Sequence, residues 1–496
     1  MMPSLFWMLA GNNMDVLLVN PRHNGKSEVP PLGLQCLAGS LQASDISTAI
    51  LDLDVCPYEE TDQSLIEAVQ TGKPRIVGVS VLSDSLASAM GICRLVKSLN
   101  TGILTVLGGI HASVMGRQVL ETYPQVDIIV RGEGEITFLE LVRRYLNLVD
   151  HSDIDGISFR HAGGISENWE RSLERDLDRF PLPDRSLLDI SLYPTHSVSS
   201  SRGCRRHCTF CSIQSLYHNT IRVRNPKSLI REIDEMASLG VRKIMFTDDN
   251  FTFSLKRLRE ICGLITDRRL DRCVEFYAEG CLEDICRNPL IAQILGQSGF
   301  CALYAGAESG SPEILKRYGK NLSPEDVLKG ASYCLMENVM PVLNFILLGP
   351  WDTVDTVRQT IDLAKQAFED GADIAYAEML IPYPGTPVQE ELARDGKFRQ
   401  RDNVFYFESY EGISVEWFLR TCDLARDLAK HSKGDESFFE SRKNYYELKC
   451  LGSLLEGEIP EEFRCRSDGR EVENLERKIE DLLLRRIGAT GGIIPV

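Results

Sequence analysis

Two stretches of this chain alternate short apolar runs with amphipathic segments of helical spacing. Met14–Asn20, Thr48–Leu51, Ile76–Val81, Ile103–Leu107 and Asp127–Val130 are near-continuous apolar runs. Runs of that kind read as parallel strands covered on both faces. Between them Leu32–Gln42, Ser64–Gln70, Ser85–Leu99, Val114–Thr122 and Glu135–Leu146 carry helical spacing. Five β/α units in this order predict an α/β, doubly wound, Rossmann-like sheet over residues 1–147. Such sheets take ligands at the carboxyl ends of their strands. Ser80 and Leu82 close the third strand, and Gly108 and Gly109 close the fourth. Small residues there let a large ligand approach the backbone, and a serine hydroxyl can hydrogen-bond it. Routine βα turns account for the same residues on fold grounds alone.

Residues 148–195 break the pattern. Ile154–Arg160 and Ile165–Trp169 flank His161-Ala162-Gly163-Gly164, which predicts a hairpin. Prolines at 181, 183 and 194 then interrupt regular structure, as expected of a connector. Over 196–400 the alternation resumes, with strands expected at Ser197–Ser200, Lys243–Thr247, Val274–Ala278, Ala302–Ala307, Val342–Leu348 and Ile374–Leu380. Asn225-Pro226 and Ser323-Pro324 are helix starts, and Gly240 is a helix stop. Six β/α units predict a partial (β/α)6 barrel with its chemistry at the strand C-termini. Residues 401–496 read as mainly helical, with helical apolar spacing in Trp417–Ala429 and Val472–Ile487, either as a cap on the barrel or as a lid.

The barrel opens on Cys204-Arg205-Arg206-His207-Cys208-Thr209-Phe210-Cys211, a C-x-x-x-C-x-x-C loop. Three thiolates so close in sequence can hold three irons of a 4Fe–4S cluster and leave the fourth open to a small molecule. A zinc site would want a second pair of ligands, and no C-x-x-C or H-x-x-x-H follows. The other twelve of the 15 cysteines are scattered singly. With no secretory or membrane-length apolar segment, they read as reduced thiols of a cytoplasmic protein. The formal net charge of −17 gives no basic stripe for nucleic acid, so none is expected as a partner. The local basic residues Arg202, Arg205, Arg206, Arg222, Arg224 and Lys227 read as solvated surface rather than a binding groove, with use by an anionic substrate or a reductase partner as the alternative.

The cysteine loop, with S-x-L and G-G on the preceding β/α units, resembles the cobalamin-dependent branch of the radical S-adenosylmethionine family. Asn20-Pro21-Arg22, Pro30-Pro31-Leu32-Gly33-Leu34 and Arg131-Gly132-Glu133-Gly134-Glu135 are similar to phrases of that branch. The resemblance implies a cobalamin-binding first domain with Ser80, Leu82, Gly108 and Gly109 at the cofactor. It implies a 4Fe–4S cluster on Cys204, Cys208 and Cys211. It also implies S-adenosylmethionine contacts from Phe210, Asp248, Asp249, Asn250, Glu308, Ser309 and Lys320, with Tyr383–Pro387 near the adenine. The chain departs from histidine-ligated cobalamin domains, whose first loop carries D-x-H-x-x-G. Pro21 stands two before His23 and Lys26 three after it, so His23 is not expected to ligate cobalt.

Family chemistry, as the resemblance implies it, is reductive cleavage of S-adenosylmethionine to a 5′-deoxyadenosyl radical, hydrogen abstraction from an unactivated carbon, and methyl transfer from methylcobalamin. The expected partners are a small-molecule, lipid or natural-product substrate and an external reductant such as flavodoxin or ferredoxin. Radical cyclisation, oxidation or ring rearrangement with the same cofactors is an alternative. So is an iron–sulfur electron-transfer or sensor protein with no substrate. A methylthiotransferase is a further alternative, but Cys36, Cys56 and Cys93 fall in or beside expected helices rather than in a ligand loop.

Overall fold

The computed structural model describes residues 14–23, 29–401 and 404–407. The first unit runs β1 (Val16–Asn20), α1 (Leu32–Gln42), β2 (Thr48–Asp52), α2 (Thr61–Gly72), β3 (Ile76–Ser80), α3 (Leu86–Leu99), β4 (Leu104–Gly108), α4 (Ile110–Thr122), β5 (Ile128–Val130) and α5 (Gly134–Leu146). The strands lie in the order β2-β1-β3-β4-β5, all parallel, so the switch point falls between β1 and β3. Alternate residues explain why both faces are apolar. Leu17, Val19, Val77 and Val79 meet one helical layer, while Val16, Leu18, Ile50 and Val106 meet the other.

The expected hairpin is present as β6 (Ile157–His161) and β7 (Gly164–Glu167). It does more than connect: β6 pairs antiparallel with β5 and extends the sheet to seven strands. Helix α4 starts at Ile110, ahead of the expected Val114, because Gly109 turns the chain with φ of 95°.

The second unit begins with β8 (His196–Val198), β9 (Ser201–Arg202), α6 (Ile213–Tyr217), β10 (Arg222–Val223), α7 (Pro226–Ser238) and β11 (Lys243–Phe246). It continues through α8 (Leu255–Asp267), β12 (Glu275–Gly280), α9 (Leu282–Arg287), α10 (Leu290–Gln297), β13 (Phe300–Glu308), α11 (Pro312–Arg317), α12 (Pro324–Met336), β14 (Met340–Leu347), α13 (Val354–Glu369), β15 (Asp373–Met379) and α14 (Pro387–Arg394). Six parallel strands in the order β8-β11-β12-β13-β14-β15 make the partial barrel. Its outer face packs the helices through a core that includes Phe246, Phe276, Leu303 and Leu343. The predicted caps form: Asn225 accepts from Lys227 N at 2.9 Å, and Ser323 and Asp326 make a reciprocal capping box.

At the start of the C-terminal region, β16 (Phe398–Arg401) and β17 (Val404–Phe407) form an antiparallel hairpin whose Phe405 and Phe407 are buried. Alternating buried aromatics fit a strand period of two, not a helical one. The expected helices at Trp417–Ala429 and Val472–Ile487 lie outside the described residues. Among the described residues, no helix is long and apolar enough to cross a membrane.

Candidate active site

The cysteine loop lies between β9 and α6 and is held by backbone contacts. Thr209 N donates to Tyr318 O at 3.0 Å, Cys211 N to Cys208 O at 3.2 Å, and Gln214 Nε2 to Arg206 O at 3.0 Å. Gly203 enters the loop with φ of 90°, and a Cβ there would stand 2.1 Å from Thr220 O. All three thiols are half-buried. Burial pushes Cys204 up, Cys208 to about 11 and Cys211 to about 12. Arg206 and Lys320 act against that rise at Cys204, and Lys320 does so at Cys208. A donor set of three thiols beside two cations fits an anionic iron–sulfur cluster. Phe210 packs edge-on against Tyr318, with ring centroids 5.3 Å apart.

The Asp248-Asp249-Asn250 turn after β11 divides its labour. Asp248 is fully buried and accepts from Ser200 N at 2.9 Å, Ser200 Oγ at 2.7 Å and Ser201 Oγ, which ties β8 and β9 together. Asn250 is equally spent: its Nδ2 donates to Asp284 at 3.0 Å and its Oδ1 accepts from Thr252. Neither lines the cavity described below, which corrects the expectation that all three face a ligand. Asp249 does line it. Its carboxylate accepts from Gly203 N at 2.7 Å, and burial and then Asp248 lift its pKa to about 6.

At the end of β13, Glu308 and Lys320 form a buried ion pair at 3.2 Å. Glu308 has φ of 63°, and the strand register shifts between Gly306 and Glu308. A non-glycine residue held there costs about 1–3 kcal/mol, a strain typical of ligand sites. Gly306 makes the room, since a Cβ on it would stand 1.9 Å from Glu308 Oε1. Burial works against the Lys320 ammonium, but Glu308, Cys208 and Cys281 outweigh it and raise its pKa. Ser309 is a correction. It is fully buried, its Oγ is 2.9 Å from Thr360 Oγ1 and accepts from Ser311 N at 3.1 Å, so it anchors α13 rather than facing a ligand.

Ser80, Leu82, Gly108 and Gly109 all line one cavity of about 540 Å³ at the carboxyl ends of the first sheet. Its opposite wall is the mouth of the barrel, with Ser197, Ser199, Thr247, Asp249, Tyr383 and Pro384. Gly109 lies against β3's exit: a Cβ there would come 2.6 Å from Val81 O. Two histidines also line this space. His23 Nδ1 is 3.3 Å from Asp84 Oδ2; burial opposes its charge, but Asp84 outweighs burial and raises its pKa. His111 Nδ1 is 3.0 Å from Ser83 Oγ, and burial holds its pKa down at about 4.

Residues 22–142 match the model of the B12 binding domain, and residues 198–364 match that of the radical SAM superfamily. Those two matches meet at this cavity. The chain belongs to the cobalamin-dependent radical S-adenosylmethionine family. It is a radical S-adenosylmethionine enzyme, and the cofactors of its family are a 4Fe–4S cluster, S-adenosylmethionine and cobalamin. An uncharacterized methyltransferase of Pyrococcus horikoshii is 29% identical over 81% of this chain and 90% of its own length. The anaerobic magnesium-protoporphyrin IX monomethyl ester cyclase of Rubrivivax gelatinosus is 27% identical over 91% of this chain and 84% of its own. In fold, the chain is similar to the radical S-adenosylmethionine methyltransferase TsrM of Kitasatospora setae, with a TM-score of 0.72, 18% identity, and coverage of 94% of this chain and 99% of that one.

This cobalamin-dependent radical enzyme also holds its two units together beside the cavity. Glu133, at the start of α5, accepts from Arg202 at 2.8 Å and from Arg222 at 2.7 and 2.8 Å. Arg202 also donates to Glu135 at 2.6 Å. Arg206 pairs with Asp284 at 2.7 Å, and Arg224 with Glu232 at 2.6 Å. The reading of the basic residues as solvated surface is therefore wrong for Arg202, Arg206, Arg222 and Arg224, whose charges are matched by partly or fully buried carboxylates. Arg205 and Lys227 are exposed, as expected. The signal in sequence was Gly132-Glu133-Gly134-Glu135, an acidic pair at a helix start.

Proposed function

We propose that this enzyme methylates an unactivated carbon of a small-molecule, lipid or natural-product substrate. The observation that carries the reading is the shared cavity. The strand ends expected at cobalamin and the barrel mouth expected at S-adenosylmethionine form opposite walls of one space. A substrate held there would lie between the two cofactors. When bound, the cluster and S-adenosylmethionine supply a hydrogen-abstracting radical, and cobalamin supplies the methyl group.

The chain's own residues bind, orient and exclude water. Cys204, Cys208 and Cys211 would hold the cluster, while Arg206 and Lys320 offset its negative charge. Asp249 would accept from the methionine ammonium. Glu308 would take ribose hydroxyls, with Lys320 beside it for the methionine carboxylate. Phe210, edge-packed on Tyr318, and Tyr383–Pro384 would bound the adenine side. Ser80, Leu82, Gly108 and Gly109 would line the cobalamin side. His111, uncharged at neutral pH, adds a neutral polar group to that wall.

Cyclisation is a second reading, favoured by the likeness to the Rubrivivax gelatinosus cyclase over 91% of this chain. Anaerobic reconstitution with iron, sulfide and hydroxocobalamin, followed by reaction with S-adenosylmethionine and a reductant such as flavodoxin, separates the two. A product heavier by one methylene, with S-adenosylhomocysteine and 5′-deoxyadenosine both formed, supports methylation. A product of unchanged carbon count supports cyclisation or oxidation. A protein that retains iron but no cobalamin refutes both.

A further inference from the structure

The outer side of the cysteine loop carries positive charge that the described residues do not neutralise. Arg205 and His207 are the exposed side chains of the loop. The loop is clamped to the end of α11: Thr209 Oγ1 donates to Arg317 O at 3.0 Å, and Thr209 N to Tyr318 O at 3.0 Å. The approach is so close that a Cβ on Gly319 would stand 2.5 Å from His207 O. These contacts set the exposed Lys316 and Arg317 beside the loop. The side chains of Arg205 and Lys316 have no hydrogen-bond or ion-pair partner among the described residues. The Arg317 guanidinium lies over the Trp351 ring, 5.5 Å from its centroid. Two carboxylates border this surface. Glu313, a turn back on α11, pairs with neither cation, and Glu391 accepts from Trp351 Nε1 at 3.1 Å.

The cations on the inner side differ. Lys320 pairs with Glu308 at 3.2 Å, and Arg206 with Asp284 at 2.7 Å. Packed rings join the outer surface to the loop, with centroids 6.0 Å apart from Trp351 to Tyr318 and 5.3 Å from Tyr318 to Phe210, the residue before Cys211. Arg205, His207, Lys316 and Arg317 do not line the cavity. A substrate must enter that cavity, whereas an electron need only arrive close to the cysteines. The patch therefore suits a donor that stays outside. In a chain of formal net charge −17, it is also where an acidic protein meets attraction rather than repulsion.

We propose that Arg205, Lys316 and Arg317 form the docking surface for an acidic one-electron carrier, a reduced flavoprotein or iron–sulfur protein. One electron leaves the carrier, which is oxidised by one, and enters the cluster held by the loop; no covalent bond is made or broken there. The proposal rests on the radical S-adenosylmethionine reading of the barrel. It is tested on the cluster-reconstituted full chain by calorimetric titration with flavodoxin, an acidic flavoprotein, at low and high salt. Formation of 5′-deoxyadenosine is then measured with limiting reduced flavodoxin or with reduced methyl viologen, a small cation that needs no docking surface. The double variant Arg205→Glu, Lys316→Glu is expected to bind flavodoxin about 10-fold more weakly at low salt, within the range of electrostatic steering, and the difference should vanish at high salt. Its 5′-deoxyadenosine rate should fall by a similar factor with flavodoxin and hold with methyl viologen, and Arg205→Lys, Lys316→Arg should behave as wild type. Wild-type flavodoxin affinity in the charge-reversed variant overturns the proposal and leaves the cations to an anionic substrate. Equal loss with both donors also overturns it, by showing a damaged cysteine loop. A wild-type protein with full iron and sulfide that forms no 5′-deoxyadenosine with methyl viologen overturns the barrel reading itself, and the proposal with it.

Discussion

Deleting the Glu133 carboxylate tests how the two units of this enzyme are fastened. The side chain is 13% exposed and takes three hydrogen bonds from two guanidinium groups, of which Arg222 is 7% and Arg202 19% exposed. Removing one partner from a buried pair costs about 3–5 kcal/mol, because the other charge is left stranded. Arg202 keeps Glu135, so its share of that cost is softened, whereas Arg222 keeps the Glu174 carbonyl at 2.8 Å and the face of the Tyr217 ring. Glu133→Ala should therefore cost about 3 kcal/mol, the low end of that range. Arg222→Ala should cost a similar amount, and the double variant less than the sum. The coupling from this cycle should be about 2 kcal/mol, the size expected for charge-assisted hydrogen bonds.

The assay is urea unfolding of the four proteins, with the pH repeated from neutral to acid. Burial alone would raise the Glu133 pKa, but Arg222 and Arg202 outweigh it and hold it below 4.5. A depressed carboxylate contributes stability above its unfolded pKa, and loses it as pH falls through the folded one. The coupling should thus persist at neutral pH and fade only below the ordinary carboxylate range. A coupling near zero at neutral pH would refute the claim that this ion-pair group bridges the units. A coupling that fades already near pH 6 would refute the assigned direction of the shift.

Gly109→Ala should lose cobalamin before it loses the fold: φ of 95° and a Cβ 2.6 Å from Val81 O force the β4–α4 turn to move, checked by corrin absorbance after reconstitution. Asp248→Asn and Asp249→Asn should separate. The first weakens the hydrogen bonds that Ser200 and Ser201 donate to residue 248 and lowers the unfolding midpoint, and the second leaves the midpoint unchanged but weakens S-adenosylmethionine binding in dialysis. Cluster assembly should release protons and speed up from pH 7 to 9, because Cys208 and Cys211 are held near 11 and 12 without iron and must ionise to bind it. A rate that is flat in pH would count against thiol ionisation as the limiting step.

Both parallel sheets were legible because buried parallel strands write themselves as apolar runs, and the helix starts at Asn225 and Ser323 were legible because capping is local. The site was legible only in part. Asp248 and Asp249 are adjacent and chemically identical, and only the fold of the turn decides which one faces the cavity. Ser309 reads like a ligand hydroxyl until Thr360, 51 residues on, takes it. Arg202 and Arg222 looked like surface because their partner Glu133 lies 69 and 89 residues earlier.

These long-range pairs are not incidental to the chemistry proposed. A hydrogen-abstracting site and a methyl-donating site work on one carbon only if both are fixed to about an ångström, since small misplacement costs rate steeply. Neither sheet alone defines that distance. Arg202 ends β9, two residues before Cys204, and its guanidinium is held by Glu133 and Glu135 at the start of α5. The strand that delivers Cys204, the first cysteine of the loop, is thereby tied to the helix that borders the cavity on the other side. A variant that loosens this tie should still bind each cofactor, yet form 5′-deoxyadenosine in excess over methylated product. Coupling that stays stoichiometric in Glu133→Ala would show that the two sites find their spacing without it.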